Sequence, residues 1–136
     1  MDFELGPESL ELRRKAHEFA DRVMRPQAAK YDQSGEFPLE IFRQAFTEGL
    51  MNGDIPADCG GAGWGVLDAC VVVEELAWAC AGMTTSMEVN SLAQAPIILY
   101  GSPEQRERWL RPFTQEFLLA SFCASETGMG SDVANI

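Results

Sequence analysis

The stretch Ser125-Glu126-Thr127-Gly128-Met129-Gly130-Ser131-Asp132 combines two glycines with three hydroxyl side chains. A turn of that composition can aim backbone N–H groups and hydroxyls at a phosphate or at the electron-rich edge of a ring. Gly-x-Gly-Ser spacing also occurs in plain structural turns, and on spacing alone the structural reading comes first. The other residues able to do chemistry are scattered. His17, the single histidine, falls on the polar side of a helical stretch with no nucleophile or carboxylate fixed beside it, so a solvated or capping role is expected. Glu74 and Glu75 are consecutive and splay around a helix, which speaks against an acid/base pair. Cys59, Cys70, Cys80 and Cys123 form no C-x-x-C pair and have no histidine nearby, so no metal ligand set and no thioredoxin-type redox pair is expected.

Composition narrows the function classes further. With 10 Lys+Arg against 21 Asp+Glu the formal net charge is −11, which disfavours nucleic acid and anionic membranes as partners. The apolar share of 46% and charged share of 23% over 136 residues are those of one ordinary globular domain able to bury a core. No apolar run reaches the 18 residues that a membrane span needs. Cys70 and Cys80 sit in apolar runs that suit buried free thiols, and the N-terminus lacks a basic, apolar leader pattern. A reducing, cytoplasmic compartment is the expectation.

The elements that must position these residues read as helices. From Pro7 to Met24, Leu12, Ala16, Phe19, Ala20 and Val23 recur at helical spacing, and Pro26 interrupts a run that resumes over Gln27 to Tyr31. A second helix opens at Phe37-Pro38 with the stripe Ile41, Phe42, Ala45 and Phe46, and closes at Gly49 or Asn52-Gly53. The glycine-rich segment Asp54 to Gly65 is a loop. Val66 to Cys80 is long and apolar enough for a central buried helix, and Gly82 separates it from Met83 to Tyr100, where Pro96 predicts a kink. Ser102-Pro103-Glu104-Gln105 is a capping box that starts a helix ending near Arg111-Pro112.

Phe117 to Cys123 then alternates, with Leu118, Ala120 and Phe122 on one face, and predicts a single strand leading into the glycine turn. A lone strand leaves backbone groups unpaired, so the chain reads as the first part of something longer. Trp64, Trp78 and Trp109 are expected as core or interface aromatics, and Arg106, Arg108 and Arg111 as a solvated face.

Several blocks in order carry a resemblance across essentially the whole chain. They are Phe19-Ala20, Ala28-Ala29-Lys30-Tyr31-Asp32, Gly35-Glu36-Phe37-Pro38, Gly49-Leu50-Met51-Asn52 and Ile55-Pro56 with Cys59-Gly60-Gly61. Asp68-Ala69-Cys70, Glu74-Glu75-Leu76-Ala77, Asn90-Ser91-Leu92-Ala93-Gln94, Cys123-Ala124-Ser125-Glu126 and Gly130-Ser131-Asp132 continue the series. In these blocks the chain resembles the FAD-dependent acyl-CoA dehydrogenases, and is closest to the medium-chain members.

The resemblance implies an all-α fold: an N-terminal helical bundle over residues 1–116, with residues 117–136 as the opening strand and cofactor turn of a middle β domain. It implies FAD contacts from Phe122, Cys123, Ala124, Ser125, Glu126, Thr127, Gly128, Met129, Gly130 and Ser131, with Ala124 and Ser125 facing the flavin ring and Ser131 also approaching the acyl-CoA substrate. Hydroxyls and N–H groups there would stabilise an electron-rich reduced ring. Phe122, Ser125, Thr127 and Met129 stand where the family usually has tyrosine, threonine, proline and a small residue.

By position Thr84, Thr85, Glu88 and Leu92 would line the fatty-acyl pocket. Glu88 either limits acyl chain length from the closed end of that pocket or is an ordinary solvated carboxylate. The family's base is a glutamate of a C-terminal domain, so no catalytic residue is assigned. An electron-transfer flavoprotein is the implied acceptor. The implied assembly is a homo-oligomer or an association with a chain supplying the remaining domains, in the mitochondrial matrix for a processed eukaryotic protein. The competing reading is a non-catalytic helical interaction module that binds a partner through the strand.

Overall fold

The computed structural model describes residues 4–135; residues 1–3 and 136, the outer ends of the two expected units, lie outside them. α1 spans Pro7–Phe19, with proline at its first position, where the missing N–H has no helical partner to lose. Ala16, Phe19, Ala20 and Val23 are buried and Leu12 packs beside them, as their spacing predicts. Pro26 does not end the helical path. The ladder widens to a π segment at Ala20–Met24 and tightens to a 3-10 turn at Arg25–Gln27, which absorbs the bond Pro26 cannot donate, and α2 follows at Ala28–Ser34. α3 (Leu39–Thr47) buries Ile41, Phe42 and Ala45 against the same core.

α4 (Val66–Tyr100) is the spine of the molecule, and α1, the π segment, α2 and α5 (Pro103–Trp109) all pack on it. Two sequence expectations change here. The break falls at Cys80 (φ −161°, ψ 103°), two residues before Gly82, and the helix runs on through Pro96 to Tyr100. Beyond the break, the hydroxyls of Thr84, Thr85 and Ser86 donate to the carbonyls of Cys80, Ala81 and Gly82 at 3.0, 2.8 and 3.0 Å. Three consecutive side-chain bonds of this kind bend a helix while keeping its carbonyls satisfied. Pro96 lies on the exposed side of α4, where solvent can take the carbonyl it leaves without a partner.

The sequence expectation for Cys70 also changes. Cys70 is exposed, because the first turn of α4, with Val66 and Leu67, stands clear of the core.

The capping box holds as read: Ser102 Oγ accepts from Gln105 N–H, and Gln105 Oε1 accepts from Ser102 N–H. α6 (Pro112–Gln115) follows directly. Arg106 is not a solvated residue. It is half-buried and its guanidinium donates to the Ile98 carbonyl at 2.9 Å, tying α5 to the last turn of α4. A second, smaller core of Ile55, Cys59 and Leu110, with Ile97, Ile98 and Phe113 against it, joins the glycine loop to these helices. Two glycines of that region are obligatory for space. A Cβ on Gly53 would strike the Trp64 ring, and one on Gly61 would strike the Ile55 carbonyl.

The all-helical class is observed, but Phe117–Cys123 is not a strand, because no neighbouring strand exists among the described residues to pair with it. Its alternation survives in part: Leu118 and Ala120 are half-buried, Leu119 and Ser121 exposed. The glycine turn after it is ordered by an isolated bridge, Glu126 N–H to the Met129 carbonyl at 2.8 Å and Met129 N–H to the Glu126 carbonyl at 3.1 Å.

One ion cluster clamps α1 to α4. Glu75 is 8% exposed, accepts from Arg13 Nε at 2.6 Å, and has His17 Nδ1 2.8 Å from its other oxygen. His17 stacks on Trp78 at 4.8 Å, and Arg25 covers the same indole. Nothing local to His17 points to this partner, because Glu75 lies 58 positions away. Burial pushes the Glu75 carboxyl up, yet the hydrogen bonds and charges of Arg13 and His17 outweigh it and hold it below the usual range. A carboxylate of that kind stabilises the fold above its unfolded pKa and loses the contribution as pH falls through the lower folded value. Glu75→Gln is therefore expected to lower Tm by several degrees at pH 7 and by much less at pH 3, measured by circular dichroism. Gly61→Ala is expected to cost about 1–3 kcal/mol in urea unfolding, since a backbone carbonyl has to give way.

Candidate functional site

Three buried carboxamides sit where the helices meet the departing chain. Asn52, at φ +58° in the turn after α3, is 7% exposed, while Asn90 and Gln94 of α4 are each 2% exposed. Asn90 Nδ2 and Gln94 Nε2 both donate to Asn52 Oδ1, at 3.0 and 3.2 Å, and Asn52 Nδ2 donates to the Phe113 carbonyl at 3.1 Å. Asn90 also reaches the departing chain itself. Its Nδ2 donates to the Leu118 carbonyl at 3.0 Å, and its Oδ1 accepts from Ala120 N–H at 2.8 Å. Every side-chain polar atom of the three except Gln94 Oε1 has a partner, and these bonds fix the elements the set joins. Its members fall in two of the blocks that carry the family resemblance, but nothing in the sequence showed these contacts, since the bonded pairs lie 28 to 61 positions apart.

The turn expected to face a cofactor follows directly. Phe122 and Cys123 are exposed, Ala124 is half-buried, Ser125, Glu126, Thr127 and Gly128 are exposed, Met129 is half-buried, and Gly130 and Ser131 are exposed. Met129 thus folds inward through its bridge to Glu126 and leaves the hydroxyls of Ser125, Thr127 and Ser131 on the open side.

The residues expected to meet an acyl chain divide. Thr85 and Leu92 are exposed and Glu88 is half-buried, along one stripe of α4. Thr84 lies in the interior at 2% exposure, its hydroxyl committed to the Cys80 carbonyl. Glu88 borders a cavity of about 60 Å³ walled by Leu50, Asn52, Gly53, Trp64, Ala69 and Val73, and Asp54 and Ser91 line it too. A wider groove of about 360 Å³, with Val66 and Cys70 on its rim, adjoins it. Ser91 Oγ donates to Asp54 at 3.3 Å.

Burial pushes the Glu88 carboxyl up, the nearby Asp54 charge adds to this, and the Ser91 hydroxyl opposes it. Glu88 is therefore neither fully solvated nor ion-paired. Trp64, Asp54 and Ser91 were not among the residues the sequence singled out around it. Among the described residues no group of His, Cys, Asp and Glu is arranged to hold a metal ion, and no helix is long and apolar enough to cross a membrane.

Comparison with known proteins gives this geometry its setting. Over all 136 residues the chain is 40% identical to a Caenorhabditis briggsae protein named "Probable medium-chain specific acyl-CoA dehydrogenase 2, mitochondrial", of which it spans 33%. It is 36% identical over 132 residues to isobutyryl-CoA dehydrogenase, mitochondrial, of Bos taurus, of which it spans 32%. The chain thus covers about a third of the length of the curated relatives it matches. Its backbone superposes on butyryl-CoA dehydrogenase from Megasphaera elsdenii with a TM-score of 0.89 at 28% identity, covering 98% of this chain and 36% of that one. Residues 6–116, which carry α1 to α6 and all three buried carboxamides, match the family described as acyl-CoA dehydrogenase, N-terminal domain, and the chain belongs to that family.

Proposed function

We propose that the chain is the amino-terminal part of an FAD-dependent dehydrogenase that oxidises the α,β bond of a fatty acyl-CoA thioester to the trans-2-enoyl-CoA. The observation that carries this reading is the ordered turn at residues 122–131, open on its hydroxyl side and tethered to α4, the helix that bears Thr85, Glu88 and Leu92. The turn fits one edge of a flavin. Its hydroxyls and backbone N–H groups are exposed, and its bridge limits the reorganisation that binding would demand.

FAD when bound supplies the hydride acceptor. In this reading Ala124 and Ser125 face the ring and Ser131 lies between cofactor and thioester. The α4 stripe lines the acyl chain, and the half-buried Glu88 ends the apolar path, because a carboxyl there disfavours a longer alkyl tail. The base that removes the α proton, and the rest of the cofactor site, belong to further parts of the enzyme. An electron-transfer flavoprotein accepts the electrons, and the working form is a homo-oligomer or an association with a chain carrying those parts. The compartment is the cytoplasm, or the mitochondrial matrix for a processed eukaryotic form. A second reading, a non-catalytic interaction module, draws on the exposed Leu119 and Phe122 flanking backbone that no strand pairs.

The purified chain is titrated with FAD and followed by its visible spectrum and by size-exclusion mass: stoichiometric flavin retained on the column supports the cofactor reading of the turn and makes an acyl-CoA turnover assay worthwhile. A colourless species that stays so in excess FAD would show that these residues alone are not an enzyme and would leave the family membership intact. A partner that co-purifies with it and carries a β domain would then favour the interaction module.

Glu88 gives an independent check. Its raised carboxyl favours the neutral form, so its contribution to stability is present below the unfolded value near 4.5 and is lost as pH rises through the folded one. Glu88→Gln is expected to raise Tm at pH 8 and leave it unchanged near pH 4, read by thermal melts. In an assembled active enzyme Glu88→Leu is expected to shift the chain-length optimum of kcat/KM toward longer acyl thioesters, by about 10-fold or more in the ratio of long to short substrate.

A further inference from the structure

We infer that Asn90 is a positioning residue for the turn at residues 122–131, its carboxamide bonding the backbone of residues 118 and 120 in the pattern of a parallel strand. The inference rests on the reading of that turn as the flavin-facing segment. A strand displays the carbonyl of residue i and the N–H of residue i+2 along one edge, and a parallel neighbour fills both from a single residue. Asn90 does the same with one side chain, holding the Leu118 carbonyl at 3.0 Å and Ala120 N–H at 2.8 Å.

The side chain is itself immobilised. Asn90 is 2% exposed and its Nδ2 also donates to Asn52 Oδ1 at 3.0 Å, and Asn52 in turn donates to Phe113. The register of residues 118–120 is therefore set by α4 and by the turn after α3. Ala124 and Ser125 come four and five residues after Ala120, a reach of roughly 13–18 Å when extended. Without the clamp the last anchor is Phe117, whose ring packs on Phe46 and under Arg43, which adds three residues and about 10 Å of slack. Two neutral hydrogen bonds thus shorten the tether of the turn and tie its starting point to the helix that carries Thr85, Glu88 and Leu92.

The test uses FAD as the probe, in an assembled enzyme where the parts that complete the cofactor site are present, and two variants that cut the clamp from opposite ends. Asn90→Leu removes the carboxamide at similar volume. Ala120→Pro removes the N–H, at the cost of a fixed φ at a half-buried position outside the helices, so it stays informative if Asn90→Leu folds poorly. Amide exchange by NMR is expected to show Ala120 N–H protected relative to Leu119 and Ser121. Both variants are expected to weaken FAD at least tenfold and to shift the visible bands of the bound flavin, with the helical circular dichroism of Ala120→Pro unchanged. Ile41→Val, a core change of modest cost, is expected to lower Tm without moving those bands, which separates positioning from general destabilisation.

Exchange of Ala120 N–H as fast as its neighbours would overturn the clamp. Flavin bound by Ala120→Pro with unaltered affinity and spectrum would overturn its positioning role while leaving the flavin reading intact. Failure of the unaltered assembled enzyme to take up FAD would sink the flavin reading, and this inference with it.

Discussion

Among the described residues the chain that leaves α6 meets no strand, and its position depends on how the helices satisfy its backbone groups. A buried carbonyl or N–H left without a partner costs on the order of 1–3 kcal/mol, comparable with a large part of the stability margin of a small domain. Asn90 removes that cost for Leu118 and Ala120, and Asn52 removes it for Phe113. Carboxamides suit this place because each carries a donor and an acceptor and no charge. A carboxylate at either position would meet carbonyl oxygens without a cation near, and an ammonium would leave the Ala120 N–H unfilled. The arrangement also explains why Asn52 adopts φ +58°: the left-handed turn is what points its side chain back between α4 and the departing chain, and asparagine tolerates that region better than most residues.

Much of the fold was legible because it rests on local chemistry. The stripe of α1, the stripe of α3 and the capping box of α5 each follow from residues within four positions of one another, and all are found where their spacing puts them. The departures share one cause, which is that long-range satisfaction overrides local propensity. Pro26 predicts an interruption before the helix resumes and Gly82 a break; a change of helical register absorbs the first, and the second falls at Cys80, followed by a run of hydroxyls. Phe117–Cys123 has the alternation of a strand and lacks only the neighbour that would make it one.

The candidate site was legible to a different depth. The composition of residues 125–132 suggested a ligand-facing turn, and the family resemblance pointed to Thr84, Thr85, Glu88 and Leu92. Neither could say that Thr84 turns into the core or that Glu88 meets Asp54, Ser91 and Trp64 across a small cavity, because those facts depend on how α4 sits against the glycine loop. His17 illustrates the same limit from the other side. One histidine on a polar helix face carries no signal, yet it closes on a buried glutamate of α4 and stacks on an indole. Glu75 could be buried only because Arg13 and His17 arrive from α1.

The two buried polar systems divide the work along α4. The Glu75 cluster holds its first half to α1 through charge, and the carboxamide set holds its second half to the departing chain without charge. Charge is tolerated at the first because two half-solvated cations, Arg13 and His17, offset the desolvation of the buried Glu75. At the second the partners are backbone groups in the interior, where an ion would raise a desolvation penalty that no counter-charge offsets. Between them lies the break at Cys80, the one place where the helix can adjust the angle between its halves. A spine locked at both ends and jointed in the middle lets the α1 side be packed for stability while the far half keeps a fixed relation to the turn at residues 122–131.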